Sequence, residues 1–402
     1  MAGYVEILRT PGVTRIITAQ LVARLPQGML SLCLLLHIEG IHHSYGAAGL
    51  VLAATSIGSA VAGPLTSRWM GAWGMRPVLI LTTSVCASAL LVLTLAPLAI
   101  PAAMAVGLLA GLANPPVGPA VRTIYPKLVN SRKLTVLFSL DATAQEIIWV
   151  AGPVVGTFIA TQVSTTAAML TIVGIMLVGG AWFIANRELG RVRIPRSRRR
   201  IGSVLKRPAV LIATIVGFVL VSSFAAIEAS IVSVFGDTDP RSGIVLAIWS
   251  VASIGGGLLM GRLPMGPWSL ARRMLFVFLG AALALLILDF WWLAFALAIS
   301  GIGVAPVLAV LSSQISSSVR FSDTAEAFGW STTGQLMGAA LGSALAGFLI
   351  DGAGSFGGFV ASAALALLGL VIAIVTARWQ PDLRGGSVGP IPDTEPIAVQ
   401  PS

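Results

Sequence analysis

Asn186-Arg-Glu-Leu-Gly-Arg-Val-Arg-Ile-Pro-Arg-Ser-Arg-Arg-Arg-Ile-Gly-Ser-Val-Leu-Lys-Arg-Pro208 is the longest polar stretch between two long apolar blocks. It carries nine Arg or Lys residues against one Glu, and the blocks on either side are similar in length. Positive charge gathered between apolar blocks marks topology, because short basic segments stay on the cytoplasmic side of a membrane.

The composition agrees. Of 402 residues, 56% are hydrophobic and only 10% charged, where a soluble domain carries about a quarter charged residues. The apolar residues run continuously and do not alternate, so the membrane elements are helices and not barrel strands. The net charge of +10 does not imply nucleic acid. The positives lie between apolar runs, where topology and anionic lipid account for them. Lysine is scarce (Lys127, Lys133 and Lys206), as in a GC-rich bacterial genome. Cys33 and Cys86 lie in apolar runs and read as small buried side chains, not a disulfide or a metal pair. The first apolar run is too long for a cleaved signal and lacks a cleavage site.

With about 20 residues per span, six spans fall near Val13–His37, Tyr45–Thr66, Pro77–Ala96, Ala102–Ile124, Leu137–Ala160 and Ala167–Ile184. Six more fall near Ala209–Val232, Gly243–Gly261, Met274–Leu288, Trp291–Ser312, Ala327–Ile350 and Phe356–Val375. Asp289 beside Phe290, Trp291 and Trp292 breaks the run that starts at Met274. The expected organisation is an N-terminal six-helix half (1–186), a basic linker (187–207), a C-terminal six-helix half (208–378) and a disordered, dispensable tail (379–402). With the linker inside, nearly all other Arg and Lys residues also fall inside, and only Arg241 falls outside. Both termini are then cytoplasmic. His37, His42 and His43 adjoin the first outer loop, as interfacial residues or as sensors of external pH.

The halves repeat one another. Ser56–Arg68 lies over Ser250–Arg262, with Gly63 on Gly257 and Arg68 on Arg262. Gly111–Val117 lies over Gly301–Val307, and Gly152-Pro-Val-Val-Gly156 over Gly338–Gly342, at nearly the same offset. Two similar halves are what an alternating-access machine needs, with a site between them.

Two six-helix halves joined by a basic loop resemble the major facilitator superfamily. Gly63-Pro-Leu-Thr-Ser-Arg68, followed by Gly74-Met-Arg76-Pro77, resembles its signature Gly-x-x-x-Asp-Arg-x-Gly-Arg-Arg. Ser67 replaces the acidic residue, and Trp69–Trp73 form a short insertion. The resemblance implies a gating loop at Gly63, Arg68, Gly74 and Arg76, with a counterpart at Gly257 and Arg262, and a latch that is weakened or rebuilt. Gly152-Pro153-Val-Val-Gly156 resembles the core of the family's antiporter signature, which tips the expectation toward efflux. In physical terms its glycines allow close helix contact and Pro153 bends the helix.

Charges inside the membrane are costly and are candidates for function. They are Arg24 in the first helix, Asp141 and Glu146 in the fifth and Glu228 in the seventh, with Arg122 ending the fourth and Glu326 opening the eleventh. Asp141, Gln145, Trp149, Gly152 and Gly156 share one helical stripe, and Glu146 projects about 140° from Asp141. Asp141 is expected to pair with Arg122, Lys127, Arg132 or Lys133. The resemblance places the first and fifth helices side by side, so Arg24 is expected to face Glu146. Protonation of Glu146 would then break the pair and couple proton movement to transport; the alternative is a permanent bridge. Glu228 is expected to bind a cationic substrate or a second proton, or to reach the outer water as an interfacial carboxylate.

The expectation is a monomeric, multi-pass transporter of a bacterial cytoplasmic membrane. It exports a small hydrophobic or amphipathic molecule in exchange for protons, with anionic lipid at its cytoplasmic face. The alternatives are sugar or metabolite uptake, and a non-transporting sensor or partner-binding protein. No P-loop, cofactor motif or metal-ligand spacing is present in the sequence, and an enzyme is not expected.

Overall fold

The computed structural model describes residues 2–196, 200–236, 239–261, 263–384 and 389–393. These form α1 (Ala2–Leu8), α2 (Val13–His42), α3 (Tyr45–Trp73), α4 (Met75–Leu95), α5 (Ile100–Leu112), α6 (Val117–Leu128), α7 (Ser131–Gln162) and α8 (Thr165–Ala185). A short helix α9 (Arg187–Arg191) opens the linker. The second half follows with α10 (Pro208–Phe235), α11 (Pro240–Met260), α12 (Ser269–Leu283), α13 (Phe290–Ser318) and α14 (Phe321–Val375).

Among the described residues, ten stretches are long and apolar enough to cross a membrane, with α5 and α6 taken together as Ile100–Leu128. The 55 residues of α14 far exceed one span. It is two helices joined at Gly354, where φ is +65°, a conformation that costs glycine little. At 15 residues α12 is shorter than a full span. The break at Asp289 falls where the sequence placed it. The Asp289 carboxylate caps α13, accepting from the Trp291 and Trp292 N–H groups at 3.1 and 3.4 Å. The fourth span is not the continuous helix expected over 102–124. It stops at Leu112 and restarts at Val117, because Pro115 and Pro116 lack the N–H groups that would continue the ladder.

The repeat is visible in the packing. A Cβ on Gly111 would collide with the Thr55 carbonyl of α3, and a Cβ on Gly301 with the Trp249 carbonyl of α11. Gly152 of α7 packs on Gly28 of α2 just as Gly342 of α14 packs on Ser222 of α10. These contacts put Gly152 on Gly342, one turn beyond the Gly338 expected from sequence. Small residues let the backbones approach where the hydrophobic effect between spans is absent.

The apolar core has an asymmetric shape. At the linker end one continuous cluster joins both halves, running from Ile16 and Phe138 to Val277 and Phe328. Toward the other end it divides. Met29, Leu90 and Ile172 belong to a core of the first half alone, and Ile227, Trp249 and Leu297 to a core of the second.

The tail differs from the expected disordered segment in its described part. Gln380 is buried and accepts a hydrogen bond from Gln314 at 2.9 Å. Leu383 N–H donates to the Met265 carbonyl. Ile391 exchanges backbone hydrogen bonds with Val319 and Phe321. Gly389, Pro390 and Pro392 meet Pro126, Lys127, Ser131 and Leu134 of the first half around one small cavity. Composition alone missed this because proline-rich sequence docks readily where open backbone edges await it. Hydrogen bonds from Arg384 hold the exposed Asp382 carboxyl down to about 2, so it is ionised throughout the neutral range.

Candidate functional site

The first group of buried polar residues joins three helices of the first half. Gln20 and Arg24 stand one turn apart on α2, Arg122 and Tyr125 on α6, and Asp141 and Gln145 on α7, so each pair faces one way. Asp141 is the hub. It accepts from Tyr125 Oη at 2.8 Å, Gln20 Nε2 at 3.2 Å and Arg122 Nε at 3.0 Å. Arg122 Nη2 reaches Gln145 Oε1 at 2.9 Å, and Arg24 Nη1 reaches Gln20 Oε1 at 3.1 Å. All six residues are buried. Arg24 therefore sits with Asp141 and not with Glu146, against the pairing expected from sequence. Its guanidinium turns toward α6, beside Gly118.

Glu146 points elsewhere, as the helical angle predicted. It lies against Ser253 of α11 and within electrostatic reach of Glu228 of α10. By solvent exposure Glu146 is half-buried and Glu228 exposed. Two carboxylates from opposite halves thus face one space. Among the described residues neither forms an ion pair.

The halves are fastened at the linker end by contacts that repeat. Gly63 of α3 packs on Thr333 and Gly329 of α14, and Gly257 of α11 packs on Thr143 of α7. Thr333 donates to the Ala60 carbonyl at 2.6 Å, and Ser139 to the Gly257 carbonyl at 2.6 Å. Phe138 and Phe328, corresponding residues of the two halves, meet with ring centres 6.1 Å apart. Arg122 lies 5.9 Å from the Phe328 ring centre. Arg68 pairs with Glu326 across the halves at 3.1 Å, and the linker's Gly202 N–H donates to the same carboxylate at 2.7 Å. Where the signature's acidic residue is replaced by Ser67, a carboxylate from the other half meets the arginine.

The gating segment is not a loop. Helix α3 runs through Arg68 to Trp73, and only Gly74, at φ +93°, separates it from α4. Arg76 donates to the Ile184 and Asn186 carbonyls at the end of α8. It therefore ties the first half to itself. Arg262 lies outside the described residues. Gly152, Pro153 and Gly156 lie inside α7, where the two glycines let it approach Gly28, Met29 and Cys33 of α2.

Residues 16–290 match the family model of the Major Facilitator Superfamily. The chain belongs to that superfamily. The solved structures that share its fold include two transporters. One is the human organic anion transporter MFSD10 (TETRAN), 17% identical, with a TM-score of 0.69, covering 90% of this chain and 100% of that one. The other is a bacterial homologue of the iron transporter ferroportin in an outward-facing state, 15% identical, TM-score 0.69, covering 91% and 98%. No curated protein matches the chain. As a multi-pass membrane protein of the major facilitator superfamily, it is a membrane transporter.

Sequence reasoning missed Gln20, Tyr125, Ser253 and the residue pairs that join the two halves of this facilitator. The repeat held the signal for the last of these: once Gly111 is set on Gly301, the same spacing puts Phe138 on Phe328 and Thr143 on Thr333. Gln20 and Tyr125 left none, since a single polar residue in an apolar run has no visible partner.

Proposed function

We propose that the chain is a proton-coupled exporter of small amphipathic molecules that works by alternating access, in a bacterial cytoplasmic membrane with linker and termini inside. The observation that carries this reading is the Glu146–Glu228 arrangement: carboxylates of opposite halves, within electrostatic reach of one another, with no ion-pair partner among the described residues. An uncompensated carboxylate within a membrane span is a natural proton carrier, and one shared between halves changes its surroundings whenever the halves rock. The continuous core at the linker end and the divided cores beyond it support an outward-open state. The excess of Arg and Lys at that end supports the orientation and a contact with anionic lipid. Twelve spans follow if α12 is completed by the residues around it and α14 is counted as two. The chain acts as a monomer, since each half supplies the other's partner surface.

The test uses proteoliposomes with an imposed pH gradient. The probe is the compound that most raises the unfolding temperature of the purified protein, since a ligand stabilises the state it binds. Glu146→Gln is expected to abolish the dependence of flux on the gradient while leaving the protein folded. Full gradient dependence in that variant would refute the assignment.

A further inference from the structure

Three observations meet at the start of α6. First, the chain passes from α5 through Ala113, Asn114, Pro115 and Pro116, so α6 begins inside the bundle with its own N-terminus. Such a terminus presents free N–H groups and the positive end of the helix dipole. Val117 N–H turns back to the Pro115 carbonyl, and Gly118 N–H has no backbone acceptor among the described residues.

Second, Arg24 lies beside that turn. Its guanidinium carbon is 3.7 Å from where a Cβ would stand on Gly118. Arg24 is only 6% exposed, yet its Nε has no hydrogen-bond partner among the described residues. An unmet donor in a buried site is costly, the more so when charged. The charge balance leads to the same point. Asp141 already accepts from Tyr125, Gln20 and Arg122. Two guanidiniums thus share one carboxylate, and one positive charge is left over. Glu146 does not offset it, for the groups within electrostatic reach of Arg24 are Asp141, Arg122 and Tyr125.

Third, the fold does not require the cluster. In the second half Thr214 stands for Gln20, Phe218 for Arg24, Ser312 for Arg122, Ile315 for Tyr125 and Ser331 for Asp141. None is charged, and α10 and α14 pack closely there through Gly334 and Gly338. A buried ionic cluster present in one of two equivalent halves is an addition to the architecture.

We propose that Arg24 Nε and the first turn of α6 bind the anionic headgroup, a carboxylate or sulfonate, of an amphipathic molecule. The site adjoins the contact between the halves, since Arg122 of the same cluster lies 5.9 Å from the Phe328 ring centre. Only the statement that this molecule is transported rests on the function proposed above; the binding site stands by itself.

The experiment measures binding, not flux. The full chain, purified in detergent, is titrated with 2-naphthoate and 2-naphthalenesulfonate, and with 2-naphthylmethylammonium and 2-naphthylmethanol as charge controls. The unfolding temperature is the readout. The two anions are expected to bind at least about tenfold more tightly than the cation and the alcohol. Arg24→Gln is expected to erase that preference while its unfolding temperature without ligand stays near that of the parent. Arg24→Lys keeps the charge and loses Nε, so anion preference persists with affinity lowered several-fold. It serves alone if Arg24→Gln does not fold. Equal binding of the four probes, or an anion preference that survives Arg24→Gln, or unchanged affinity in Arg24→Lys, would each overturn the proposal. Failure of the proton-coupling test leaves these outcomes untouched, so the two readings fall separately.

Discussion

Asp141→Ala is expected to destabilise the protein by about 3–5 kcal/mol, the largest loss foreseen for any single side chain here. The carboxylate accepts three hydrogen bonds from three residues, all buried. Its removal strands Arg122, already 6% exposed, beside a second guanidinium. Nothing within α6 or α7 replaces it, because the remaining acceptor, Gln145, is neutral and already engaged. Reversible unfolding in mixed micelles measures the loss; a value under about 1 kcal/mol would mean that the network relaxes at little cost. The second half supplies the control. Installing its residues together, as Gln20→Thr, Arg24→Phe, Arg122→Ser, Tyr125→Ile and Asp141→Ser, removes every charge at once. That variant is expected to recover most of the stability, since exchanging a whole buried ionic group for packed neutral residues is often neutral.

Gly63→Leu is expected to have the second largest effect, on conformation and not on folding. The nearest atoms to a Cβ at Gly63 are Thr333 Oγ1 at 2.6 Å and the Gly329 carbonyl oxygen at 2.9 Å, both in the opposite half. The added side chain is therefore accommodated if the halves part at the linker end. Overpacking of this kind costs about 1–3 kcal/mol, which moves a two-state equilibrium by roughly 5- to 150-fold. Spin labels on α3 and α14 near the linker end read the outcome as a distance distribution. The population with that end open should rise, while the unfolding temperature of each half barely moves. An unchanged distribution would show that Gly63 does not report on the contact between the halves.

The sequence carried the architecture well and the site unevenly. The helical membrane architecture was legible because span length is a one-dimensional property, so the break at Asp289 falls where the composition put it. The repeat of small residues was legible too, although one turn out at Gly152. Pairing between distant side chains was not. Helical angle separated Asp141 from Glu146 correctly, but no local signal says which residue of another helix stands opposite. Arg24 was therefore assigned to the wrong carboxylate. The break at Asn114–Pro116 was readable in principle from two adjacent prolines. It was masked by the apolar run that continues on both sides.

The clasp between Ile391 and Val319–Phe321 has a consequence for the order of assembly. Every described helix of the bundle precedes Ile391 in the chain, so all are synthesised before this segment. The backbone hydrogen bonds of Ile391 to Val319 and Phe321, which tie the tail to the second half, form only afterwards. Synthesis of the helices and fastening of the tail are thus ordered in time by position along the polypeptide.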